Sequence, residues 1–115
     1  MKWKIVYYES SSGNSPVYNF IESLNVKAKS KIIDALNLLE EFGVLLTKPH
    51  SKKVVNTQLW ELRVVGKDNI RIFYIAQSGK SFLLLHGFIK KTRKTEKREI
   101  KTAEQRLADF IQAKK

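Results

Sequence analysis

The sequence predicts an α+β fold of order β-α-α-β-β-β-α, a mostly antiparallel sheet with helices packed on one face. Three observations carry that expectation. Apolar residues recur with a helical period in two stretches near the start and one near the end. Three runs between residues 59 and 88 are apolar and β-branched with the alternation of strands. Short segments rich in Gly, Asn and Asp separate those runs as hairpin turns.

Residues 3–8 are aromatic and β-branched and read as the first strand. A polar loop, residues 9–14, leads to Ser15-Pro16, with Ser15 as the expected N-cap and Pro16 as the first helical residue. Val17, Phe20, Ile21 and Leu24 then form one helical stripe, and Asn25 breaks it. A second helix is expected over residues 26–42, with Ala28, Ile32, Ala35, Leu36, Leu39 and Phe42 inward and Gly43 as its left-handed terminator. These two pieces make a helical hairpin. Residues 44–57 read as a basic connector in which Pro49 disfavours helix.

Strands follow over residues 59–65, 70–76 and 81–88, split by Gly66-Lys67-Asp68-Asn69 and Gln77-Ser78-Gly79-Lys80. A last helix starts near Thr95, which can cap it, and turns Ile100, Ala103, Leu107, Phe110 and Ile111 inward. The 115 residues suit a single domain spanning 1–115, long enough to bury a core without disulfides or metals.

Alternation also assigns faces. A hairpin loop with an odd residue count gathers Trp60, Leu62, Val64, Ile70 and Ile72 on one apolar face and both arginines on the other. An even count would bury an arginine under the helices, which is costly. A two-residue Ser78-Gly79 loop would pair Gln77 with Lys80, set His86 opposite Arg71, and add Leu83 and Leu85 to the core face. The second face would then hold Glu61, Arg63, Arg71, Phe73, Leu84, His86 and Phe88, with Lys90 and Lys91 at the strand end. Trp60 is assigned to the core.

Charge narrows the partners. The net charge is +11, and it is lopsided: residues 1–50 carry six lysines and five acids, whereas residues 86–115 carry ten Lys and Arg and four acids. A basic field concentrated in the second half attracts polyanions and releases their counterions on binding. RNA or an RNA-containing target is the expected partner. No stretch reaches the ~18 apolar residues of a membrane span, and residues 1–5 lack a signal-peptide pattern, so a cytoplasmic protein comprising the whole chain is expected, with no membrane partner. With no cysteine there is neither a disulfide framework nor a thiolate metal site, and no metal or other cofactor is expected.

Leu59-Trp60-Glu61-Leu62-Arg63, then Ile70-Arg71-Ile72-Phe73-Tyr74, then Leu85-His86-Gly87-Phe88-Ile89-Lys90-Lys91-Thr92 resembles the phage-related HigB branch of the RelE toxin superfamily over nearly the whole chain. The resemblance implies a RelE-like fold and the toxin of a type II toxin–antitoxin system. It further implies an mRNA interferase, an endoribonuclease acting on mRNA in the ribosome, neutralised by a cognate helix-turn-helix antitoxin of the HigA kind.

Metal-free RNA cleavage uses the neighbouring 2′-OH as nucleophile, so a site must position the phosphate, stabilise added negative charge and move protons. Arg63 and Arg71 are the candidates for charge stabilisation, because a guanidinium is permanently charged and grips phosphate oxygens in pairs. For proton transfer His86, Lys90 and Lys91 all stay open. Glu61 is the group expected to orient Arg63. Phe88, with Phe73 as a weaker candidate, is placed to stack on a base. Lys48, Lys52, Lys53, Arg93 and Lys94 are candidate RNA-backbone contacts, with Lys97, Arg98 and Lys101 as further cations on the last helix. The bland alternatives are ordinary surface cations and packed aromatics. At the level of function the alternatives are a ParE-like toxin inhibiting DNA gyrase on the same scaffold, and a non-catalytic RNA-binding module.

Overall fold

The computed structural model describes residues 2–95 and 97–114. The order is β1 (Lys4–Tyr7), α1 (Pro16–Glu22), α2 (Val26–Phe42), β2 (Ser51–Lys53), β3 (Trp60–Arg63), β4 (Ile70–Gln77), β5 (Ser81–Ile89) and α3 (Lys97–Ala113). The expected α+β order is therefore observed, with one extra three-residue strand inside the connector. The five strands form one sheet in the order β1-β5-β4-β3-β2, antiparallel except where β1 runs parallel to β5.

Local chemistry sets the element ends. Pro16 opens α1, but Ser15 makes no side-chain cap; its hydroxyl lies 3.5 Å from the Tyr8 carbonyl. Asn25 does more than break α1. Its side chain accepts from the Ala28 amide at 2.8 Å and so caps α2. Gly43 ends α2 at φ +56°, and a Cβ there would come within 2.2 Å of the Trp3 indole. Only glycine meets both demands. The start of α3 adjoins residue 96, outside the described residues, so the capping role expected of Thr95 is not described; its hydroxyl lies 3.4 Å from Glu61 Oε2.

The helices do not share one face. The α1–α2 hairpin covers one side, burying Val17, Ile32 and Leu39 against Leu62, Ile72 and Leu84. The other side packs Phe73, Leu83, Leu85 and Phe88 against Ala103 and Leu107 of α3. Both layers are needed because β4 and β5 are apolar on both faces, which a half-open sheet would leave in water. Each fully buried Leu, Ile or Phe contributes about 1.5–3 kcal/mol. Not every expected core residue is inside. Phe42, Trp60 and Ile111, expected inside, are 50%, 38% and 48% exposed.

The β4–β5 register differs from the expected one. Gln77 pairs with Ser81, so the turn holds three residues, with Gly79 and Lys80 at positive φ. A bulge at Phe73/Tyr74 then shifts the ladder again. His86 stands opposite Phe73, and Phe88, not His86, stands opposite Arg71. The one-residue difference also moves Leu84 to the hairpin face, and Leu83 and Leu85 to the α3 face. The bulge restores parity, so His86 and Phe88 still lie on the α3 face. The β3–β4 hairpin keeps Arg63 and Arg71 on one face, as the odd count requires, and makes them direct partners.

Candidate functional site

The sheet register puts cations side by side around one carboxylate. Glu61 in β3 is buried, with 2% exposure, and pairs with Lys52 in β2 on one side and Phe73 in β4 on the other. Two residues along, Arg63 and Arg71 face each other across the strands. Like charges directly opposite destabilise a sheet unless something offsets them. Glu61 does so: its Oε1 lies 3.5 Å from Arg63 Nε and 3.6 Å from Arg71 Nε. These separations are ion pairs at the edge of hydrogen-bond range. Arg71 Nε is the buried side-chain polar atom left without a hydrogen bond among the described residues, and its NH1 donates to the Ile70 carbonyl at 3.1 Å. Burial lowers the Arg71 pKa, Glu61 opposes that, and Arg63 adds to it. The guanidinium remains charged throughout the physiological range.

Lys90 follows β5 and is anchored by its amide to the Asn69 carbonyl at 2.8 Å. Its ammonium pKa is lowered chiefly by burial, with Glu61 pulling the other way and Arg71, Arg63 and Lys52 lowering it further. Lys52 thus joins Arg63, Arg71 and Lys90 in one cluster. Lys91 and Arg93 are exposed and border, with Arg71 and Lys90, a shallow groove of about 290 Å³. Lys94 is exposed beside a neighbouring cleft.

Other expected site residues lie elsewhere. Lys53 pairs with Trp60 on the opposite face, its ammonium 5.7 Å from the indole. Lys48 is exposed in the loop before β2. Phe88 is buried, 5.0 Å from Phe73 and stacked on His86 at 5.3 Å.

His86 is held at both nitrogens by α3. Arg106 NH1 lies 3.1 Å from Nδ1, and Nε2 lies 2.8 Å from Glu99 Oε1. A guanidinium only donates, so Nδ1 carries the lone pair and Nε2 carries the proton, which it donates to Glu99. The ring is then neutral, and burial, partly offset by Glu99 and reinforced by Arg106, lowers its pKa in agreement. Sequence reasoning did not find Glu99 and Arg106. The signal was present but faint: two charges seven apart, two helical turns, inside the inward stripe of α3. Phe20 was taken for plain core. It half-lines the cleft beside Lys94, pressed against Gly87.

The sheet face carries paired arginines, a buried carboxylate between them and a basic groove at the strand end, and guanidinium forks of this kind have the geometry to pair with phosphate oxygens. The chain matches the family described as phage derived protein Gp49-like (DUF891) over residues 19–108. It belongs to that family, which falls within the RelE/HigB-like toxin group generally. A search of curated proteins found no match. No helix among the described residues is long and apolar enough to cross a membrane.

Proposed function

We propose that this chain is the toxin of a type II toxin–antitoxin pair, of the phage-related HigB kind, and that it cleaves messenger RNA on the ribosome. The observation that carries the reading is the cross-strand pair Arg63–Arg71 sharing the buried Glu61, beside Lys52 and Lys90. A purely structural sheet gains nothing from two opposed arginines around a buried acid. A site that must hold a phosphate and absorb extra charge on it does.

In the reaction the 2′-oxygen attacks phosphorus and passes its proton to water, while the bond from phosphorus to the 5′-oxygen breaks and that oxygen gains a proton. The products are a 2′,3′-cyclic phosphate and a 5′-hydroxyl. Arg63 and Arg71 stabilise the charge that builds on the non-bridging oxygens. Lys90, whose ammonium pKa is lowered by burial and, against the pull of Glu61, by its cationic neighbours, protonates the leaving oxygen. His86 has both nitrogens engaged within the fold and serves position rather than proton transfer. Lys48, Lys52, Lys91, Arg93 and Lys94 grip messenger or ribosomal RNA backbone. The antitoxin, a small helix-turn-helix protein, neutralises the toxin by laying acidic residues over this cationic face. Such a pair works in the cytoplasm.

The test is primer extension on messenger RNA in a translating extract, with wild type and Arg63→Ala. The expected result is cuts inside translated codons with wild type, reduced about a hundredfold or more in the variant, as for loss of a charge-stabilising donor. Cuts that survive the change would move the site elsewhere. Translation arrest without any cuts would remove the nuclease reading.

A further inference from the structure

The cationic groove leaves unexplained the cleft next to it. That cleft, about 260 Å³, lies between Phe20 of α1, the end of β5 and the first turn of α3. Lys90, Lys94 and Arg98 border it, yet Glu99, whose carboxylate is held by His86, lines it too. A pocket for phosphate alone gains nothing from a carboxylate, which repels the ligand. An acid among cations and aromatic rings matches a ligand that presents N–H donors, a flat apolar face and a nearby phosphate. A nucleotide has all three.

We propose that this cleft is a nucleobase pocket in which Glu99 reads the Watson–Crick edge of a guanine whose phosphate lies in the adjoining groove. The inference rests on the RNA reading above and deepens it by naming a specificity residue.

The carboxylate is built to read an edge, because its position is fixed from behind. His86 donates through Nε2 to Glu99 Oε1 at 2.8 Å, and Arg106 fixes the imidazole by donating to its Nδ1 at 3.1 Å. Phe88, stacked on the imidazole at 5.3 Å, blocks its rotation. The relay Arg106, His86, Glu99 gives the otherwise idle histidine of the strand motif a task. A carboxylate only accepts, so it selects the base with two adjacent donors on its pairing edge. Guanine has them in N1–H and the 2-amino group. Adenine and cytosine set an acceptor beside their amino group, and uracil flanks its single N–H with two carbonyls, which Glu99 repels.

Phe20 supplies the apolar wall. A Cβ on Gly87 would stand 2.6 Å from the Phe20 ring, so the bare glycine lets that ring lie against β5 at the mouth of the cleft. Base stacking on such a ring is sequence-tolerant and adds affinity without preference. Lys90, Lys91 and Thr92 border both the cleft and the groove, so the two adjoin, and a base in one directs its phosphate toward the other.

The experiment is fluorescence anisotropy of the purified chain with four labelled 2′-fluoro trinucleotides that differ only in the central base and lack the attacking hydroxyl. Wild type is expected to bind the guanine trimer about tenfold more tightly than the uracil trimer, the effect of charge-assisted hydrogen bonds to one edge. Glu99→Gln, which keeps the size and the bond from His86, brings that ratio within about threefold. Phe20→Leu weakens all four trimers by a similar factor while keeping their ranking. Equal binding of all four by wild type, an unchanged ratio in Glu99→Gln, or no binding of any trimer would overturn the pocket. The nuclease reading is judged separately: cuts in the extract with no base preference here sink the pocket alone, and preference here with no cuts sinks the nuclease alone.

Discussion

The two faces of the sheet are held down by different physics. The hairpin face is chiefly an apolar layer in which Leu62, Ile72, Leu84, Ile32 and Leu39 meet, with the buried Ser51 and Tyr74 hydroxyls hydrogen-bonded at 2.5 Å. The α3 face mixes an aromatic cluster with a seam of polar ties. Tyr8 donates to Asp109 at 2.5 Å, Arg106 to the Leu85 carbonyl at 2.9 Å and to His86, and His86 to Glu99. Thr95 lies 3.4 Å from the same Glu61 that spaces the arginines. The comparison teaches a division of labour. Both faces bury apolar core, but the hairpin face relies on packing, whereas the α3 face adds the directional bonds that fix positions apolar packing leaves free.

The strongest way to break the comparison is at the hairpin face. Leu62 is fully buried and stands in β3 one residue from both Glu61 and Arg63. Leu62→Ala is expected to cost about 2–5 kcal/mol by urea unfolding, the transfer loss plus the cavity left behind. Activity per folded molecule should fall little. A variant that keeps wild-type stability but loses cleavage would reverse the division.

A smaller loss of stability and a larger loss of function are expected at Glu61. Glu61→Gln keeps the shape but withdraws the charge between two opposed arginines. Arg63, about a third exposed, relaxes toward water, so the cost is about 1–3 kcal/mol. Cleavage should drop about as far as in Arg63→Ala, since both arginines lose their common anchor. Thermal melts and the primer-extension assay read the two effects separately. Wild-type cleavage by Glu61→Gln would show that the arginines hold their places without it.

Much of this was legible in the residues. The order of elements followed from periodicity, and the placement of Arg63 and Arg71 on one face followed from parity, since only one choice kept arginine out of the apolar layer; their direct pairing is what the structure adds. Parity failed one turn later. Ser78-Gly79 reads as a two-residue turn, but Lys80 also takes positive φ, and the bulge at Phe73/Tyr74 has no glycine or proline to announce it. Bulges depend on how the sheet coils under both helical layers, which no local pattern records. The second layer was missed for a related reason. Alternation reveals which residues are apolar, and β4 and β5 are apolar on both sides, yet one covering face was assumed. Lys52 joins the cluster and Lys53 turns to the opposite face through the short strand β2, whose three residues carry no strand signal of their own.

The finest distinction between the faces is in their response to acid. His86 on the α3 face has its pKa lowered, chiefly by burial, from an ordinary 6.5. Around it stand Glu99 and Arg106 from α3 and the rings of Phe73 and Phe88 from the sheet. Below pH 6.5 the unfolded chain takes up a proton that the folded His86 refuses, so the unfolded state binds more protons and stability falls as the pH drops. The loss continues down to the lowered folded value and then levels off. At neutral pH and above, the term is absent. Thermal melts of wild type and His86→Gln at about pH 7.5 and about pH 5.5 isolate it, because the other titrating groups are common to both chains. The expected outcome is a larger acid-induced drop in Tm for wild type than for the variant. Equal drops would mean that His86 charges freely in the folded state, and a protonated ring cannot accept from Arg106 through Nδ1. The α3 seam would then lose the bond that orients Glu99, and with it the geometric role assigned to that face.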